Sequence, residues 1–307
     1  MNQKTLSVDR ARRWARASDR TATVVLWTLA CAVPLTMVLV GGYVIVHGWQ
    51  SVDVRFLVSP SSNVEAGGGI APQIFDTFYL LVLSMALTVP ISIGAALYVA
   101  EYSASHRLRS LVDLASETLS SLPSIVAGLF GLLVFVTSTG GGYTVFAGAM
   151  TLFVVNLPLA FRVSEEAIRS VPQDLREASL SLGATKWQTT VRVVVPAALP
   201  RMITGLIATA GRALGEAAAL IYTAGMSAPP LDWRDLNPLH FRSPLSPFRP
   251  AETLAVHIWR VNSESLLPDA RRVADGSALV LLAIVLAVNL FAKWAGRRLR
   301  AKAGYSR

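Results

Sequence analysis

The 307 residues are 53% hydrophobic and only 15% charged, with a mean hydropathy of +0.49. A soluble domain carries about 25% charged residues, so this chain cannot clothe itself for water, which excludes an ordinary soluble enzyme and sets most residues against lipid or other helices. The net charge of +9 has no soluble basic domain to occupy, which excludes nucleic-acid binding, and the single Cys31 excludes an intrachain disulfide or a cysteine metal cluster.

About 20 apolar residues cross a bilayer core as a helix. The first such run, 24–46, follows a tail carrying Lys4, Arg10, Arg12, Arg13, Arg16 and Arg20. It is longer than the roughly 7–15 residues of a signal-peptide core, and it reads as a retained span. Further spans are expected at 74–100, 119–136, 143–161, 202–224 and 278–294, each bounded by Gly, Pro or charge. The expected fold is all-α: one six-span permease body over 23–296, with basic tails at 1–22 and 297–307. Six spans put both termini on one side. With the ends inside, twenty Lys and Arg residues fall on inner segments and seven on outer ones, so both termini are expected to be cytoplasmic, in a multi-pass protein of the cytoplasmic (inner) membrane.

Two connections are too long to be simple turns. The outer one, about 227–275, is Pro-rich at first and then amphipathic through Leu254, Ile258, Trp259 and Val261. The inner one, about 162–201, is polar but helically patterned. Pro172 suits a helix start and Gly183 the left-handed residue that ends one. A short helix over 173–182 is therefore predicted, then a second one capped by Thr185 and running to Val195, where Pro196 breaks it. A short helix lying along the membrane face is either an ordinary interfacial helix or a knob that fits a groove on a partner.

The spacing inside that loop is specific. Glu177-Ala178-Ser179, three residues, Gly183, nine residues, then Val193, Val195 and Pro196 resembles the EAA loop of ABC importer permeases, with mild changes at Ser179, Val193 and Val195. The resemblance implies a type I (MetI-like) permease fold in which Glu177, Ala178 and Gly183 belong to a coupling helix docking on an ATPase. Gly68-Gly69-Ile70-Ala71-Pro72, Ala100-Glu101-Tyr102, the run from Leu122 through Ser124 to Gly131, and Gly211-Arg212-Ala213-Leu214-Gly215-Glu216 further resemble the phosphate-specific (Pst) importer permeases. Thr253-Leu254-Ala255-Val256-His257-Ile258 fits their A-type subunit. The resemblance spans roughly 65–295; the basic N-terminal tail and residues 230–250 carry none of it. It implies four kinds of partner: a related second permease (PstC-like), two ATPase copies (PstB-like), an extracytoplasmic phosphate-binding protein (PstS-like) and membrane lipid.

Arg212 and Glu216, four residues apart, are expected on one face of the fifth span. An Arg at mid-membrane costs on the order of 3 kcal/mol, so the pair is either a structural clasp or a pore-lining anion site. Arg offers a permanent charge and a planar fork matching phosphate oxygens. Glu216 can accept a hydrogen bond from a protonated phosphate oxygen, a donor that sulfate lacks at neutral pH. The resemblance adds Arg162, at the end of the fourth span, which reads equally well as an interfacial Arg reaching for water. No Lys follows a Gly as a nucleotide phosphate loop requires, and no histidines form a metal pair at helical spacing. The chain is expected to hold no cofactor or metal and to have no catalytic residue, ATP and Mg being bound by the partner ATPase.

Overall fold

A computed structural model describes residues 3–62, 67–103, 105–265 and 268–302, with side chains from 19 to 298. All regular structure among them is helical. In chain order the helices are α1 (Gln3–Gly48), α2 (Val54–Val58), α3 (Ala71–Leu97), α4 (His106–Ser121), α5 (Ser124–Gly131), α6 (Val145–Arg169), α7 (Gln173–Ser181), α8 (Lys186–Thr189), α9 (Val195–Leu214), α10 (Ala218–Ile221), α11 (Leu254–Glu264) and α12 (Ala270–Lys302). Widened π turns extend α3 (Tyr98–Tyr102) and α5 (Leu132–Thr137) and join α8 to α9 (Thr190–Val194). Short polar side chains start several helices: Ser105 accepts the Leu108 N–H, Thr144 that of Ala147 and Thr253 that of Val256.

Among the described residues, five stretches are long and apolar enough to cross a membrane: Asp19–Ser51, Ala71–Tyr102, Val145–Arg169, Lys186–Leu214 and Ala270–Arg298. A sixth exists only as a bent pair, α4 and the α5 limb, which meet at 98°. The first and last spans run on as helix into the basic tails.

Two of the expected spans need correction. The third, expected straight over 119–136, is broken at Leu122 and Pro123, both extended at ψ 131° and 137°. A proline forces the residue before it out of the helical region. The fifth, expected over 202–224, is instead continuous from Lys186 to Leu214 and stops at Gly215. Pro196 does not break it. The carbonyl its ring would strike, that of Arg192, falls in the π turn before it rather than in an α-helical turn.

Helix α6 is the centre of the bundle, packing along α3 and α9; α12 lies on α9 and α11, and α1 on α12. More than half of the apolar window of α6 is buried (56%) and none of that of α1, so α1 presents its Val, Leu and Trp side chains to lipid or to another subunit. The core has two main parts. Ala96, Phe161, Ile168, Val194 and Met202 fill the end nearest α7; Leu80, Val145, Leu152, Leu220 and Val256 fill the end nearest α11.

Candidate transport path and coupling segment

The interrupted spans meet. Gly128 of α5 lies so close to α10 that a Cβ on it would sit 2.8 Å from the Ala219 Cα; only glycine permits that approach. Glu216 lies in the break between α9 and α10. Its carboxylate accepts the Ser124 hydroxyl (3.3 Å) at the start of α5 and the Ala219 N–H (3.4 Å) at the start of α10. Irregular backbone within a membrane protein is tolerated where it is buried in protein or lines a water-filled cavity.

The expected sharing of a helix face by Arg212 and Glu216 is incorrect, because α9 ends at Leu214 and the Gly215 N–H turns back to the Arg212 carbonyl (3.1 Å). Arg212 stays on α9, exposed, and makes no ion pair among the described residues; Glu216 faces α5 instead. Arg162, on α6, is exposed and lies 3.9 Å from the exposed Glu117 of α4, a spacing and exposure worth little energy. No hydrogen bond or ion pair joins Arg162, Arg212 and Glu216 to one another. The Ser124 hydroxyl was not singled out in the sequence, although the Pro before it marks the break.

The connecting segment matches the expected helix–turn–helix. Pro172 precedes α7, Gly183 follows it at φ +83°, and Thr185 and Gln188 cap α8 reciprocally. Helix α7 buries none of its residues: Glu177, Ala178 and Gly183 are all exposed, and Leu182 is 89% exposed. Next to Glu177, Arg176 turns the other way and donates to Glu101 (2.7 Å), a contact the spacing of the loop gave no reason to expect.

At the opposite end, the 249–260 segment is clasped to the start of α3 by buried charge. Arg249 and Asp76, both fully buried, form an ion pair, and Arg249 also donates to the carbonyls of Pro244 (3.0 Å) and Pro250 (3.1 Å). Glu252, equally buried, accepts from Gln73 (2.8 Å) and pairs with Arg260 (2.6 Å) and His257 (3.2 Å). In the exposed part of the same connection, the Asn237 backbone N–H and then the His240 ring hold the Asp235 carboxyl below its ordinary pKa.

Residues 88–304 match the family model described as "binding-protein-dependent transport system inner membrane component". The chain belongs to that family. It is a permease subunit of an ABC importer, a membrane-embedded transport component. Among its relatives, the probable ABC transporter permease protein YqgI of Bacillus subtilis (strain 168) is 48% identical over 268 residues, covering 87% of this chain and 91% of that one. The phosphate transport system permease protein PstA 1 of Mycobacterium tuberculosis (strain ATCC 25618 / H37Rv) is 31% identical over 216 residues, 69% of this chain and 70% of that one. One chain of the bacterial alginate ABC transporter, crystallised with an alginate pentasaccharide-bound periplasmic protein, superposes with a TM-score of 0.59 over 95% of this chain and 96% of its own. At 18% identity that likeness speaks to the fold, the type I ABC importer permease architecture.

Proposed function

We propose that this permease carries inorganic phosphate inward, as the A-type subunit of a phosphate-specific importer. The observation that supports this best is Arg212: a permanent cation on an exposed face of a membrane span, with no ion-pair partner among the described residues. Such a group is stable in a bilayer only where it meets water, a partner or an anion. Glu216, one turn further along the chain, offers an acceptor for a protonated phosphate oxygen, and the phosphate permeases among the relatives support the same substrate. In this reading Arg162 marks the inner end of the path. Residues 23–296 form the permease body, and both basic tails, 1–22 and 297–307, lie in the cytoplasm of a cell whose inner membrane holds the complex. A second related permease completes the path. Of two ATPase copies, which bind ATP and Mg, one docks on Glu177, Ala178 and Gly183, and an external phosphate-binding protein delivers the anion. ATP closure alternates the path between outward- and inward-open states.

Uptake by vesicles holding the assembled complex tests the reading. Phosphate entry should require ATP and should resist excess sulfate or molybdate. Arg212→Gln, which keeps the helix, should reduce phosphate entry about a hundredfold. Arg212→Lys keeps the charge without the fork and should restore only part. Unchanged phosphate entry in Arg212→Gln, normalised to protein in the membrane, would remove Arg212 from the path.

A further inference from the structure

The end of α3 is held from both sides of the Gly183 turn. Before the turn, the Arg176 guanidinium donates from Nε (3.1 Å) and from its terminal nitrogen (2.7 Å) to Glu101, which lies in the π turn that closes α3. The same group donates to the carbonyl of Ile168 in α6 (3.0 Å) and to that of Val171 just beyond it. After the turn, the Lys186 ammonium sits 5.1 Å over the ring of Tyr102, the next residue of the same π turn. A cleft of about 520 Å³ runs between these contacts, with Thr189 and Thr190 of the α8 arm on its wall.

These contacts are unusually concentrated. No residue of α7 is fully buried, and its side-chain hydrogen bonds to the rest of the described residues come from Arg176 and from Ser179, whose hydroxyl meets that of Thr189 (2.9 Å). Arg176 is thus the charged fastening of an otherwise projecting helix, with its side chain 14% exposed and that of Glu101 9% exposed. A guanidinium has five donors in a rigid plane, and here they reach α6 and α3 at once. The segment they grip in α3 is a π turn, a form common at functional sites inside longer helices.

We propose that Glu101 is a positioning residue for transport: through Arg176 it ties α7 to the end of α3, so that displacement of α7 by an ATPase moves the membrane span. The proposal rests on the reading of this chain as an ATPase-coupled permease, and adds the route by which the motion enters the bundle. Lys186 on Tyr102 is a second, weaker hold on the same turn. Cutting the tie at Glu101 leaves Arg176 on the Ile168 and Val171 carbonyls, so α7 keeps its seat on α6 while losing α3.

The test compares the unmodified complex, assembled with its ATPase and binding protein in vesicles, with Glu101→Ala, Glu101→Gln and Lys186→Gln. ATP hydrolysis is measured with and without phosphate-loaded binding protein, and phosphate uptake is measured in the same vesicles. Glu101→Ala should keep basal hydrolysis within about twofold, lose its stimulation by the binding protein, and carry about tenfold less phosphate per ATP. Glu101→Gln, which retains one neutral acceptor, should fall between, and Lys186→Gln should shift the ratio less. An unchanged ratio of phosphate to ATP overturns the proposal, and so does a loss of hydrolysis and uptake in step with the amount of complex. Should Glu101→Ala fail to accumulate, the ratio in Glu101→Gln decides. An unmodified complex that hydrolyses ATP but carries no phosphate would sink the substrate reading alone, because hydrolysis stimulated by the binding protein loaded with the anion it does hold still reports on the tie.

Discussion

Arg249 and Asp76 are both fully buried, so neither charge has water to fall back on if its partner is removed. Arg249→Met should therefore destabilise the protein by about 3–5 kcal/mol, because the Asp76 charge would be left alone in a low-dielectric site. Pairing it with Asp76→Leu should recover most of that loss, the Pro244 and Pro250 carbonyls remaining short of a donor. Thermal unfolding of the purified protein in detergent checks both, and an unchanged midpoint in the single variant would show that the clasp is dispensable. These residues lay outside every motif in the sequence. Nothing about an Asp in the second turn of one helix and an Arg 173 positions later announces a pair; only the tertiary fold does. Arg212 and Glu216 were legible as residue types, but their geometry was not, since four-residue spacing implies one face only while the helix lasts.

Helix α7 and its flanking turn were the most readable element, because each boundary has a local cause: Pro172 before, Gly183 at φ +83° after, Thr185 as the next cap. Gly183→Val should abolish uptake while the protein remains in the membrane, since a β-branched side chain resists a left-handed backbone by about 1–2 kcal/mol and would tilt α7. Gly183→Asn, which tolerates that conformation better, should retain measurable uptake. Equal activity of the two variants, at equal membrane levels, would mean that the turn's conformation is immaterial. The breaks at Leu122 and Gly215, and the absence of one at Pro196, were less legible. Hydropathy registers how apolar a run is and not whether its backbone stays helical, and a π turn that accommodates a proline leaves no mark in composition.

For the molecule as a whole, the predicted six spans correspond, among the described residues, to five long apolar helices and one bent pair, and twenty Lys and Arg residues against seven predict that both termini lie inside. With the exposed Cys31 replaced by Ser, a cysteine at Leu239, 78% exposed, should react with a membrane-impermeant thiol reagent added to intact cells. One at the exposed Ser181 should react only after the membrane is opened; the reverse order would invert the topology. The general plan was legible because the need to hide apolar surface acts on every residue in a span, whereas the clasp and the Arg176 fastening depend on single long-range contacts. The 98° bend also bears on biosynthesis. The limb after it, 124–137, reaches only about 21 Å at 1.5 Å per residue, short of the roughly 30 Å of hydrocarbon. It cannot settle in lipid unaided as it emerges from the ribosome, and the helices that support it, α6 and α10, are synthesised afterwards. The nascent chain should therefore integrate α5 and α6 together, as a hairpin. In chains truncated near residue 140 and released, a cysteine within 124–137 should react with a water-soluble thiol reagent, and in chains extended beyond α6 it should be shielded.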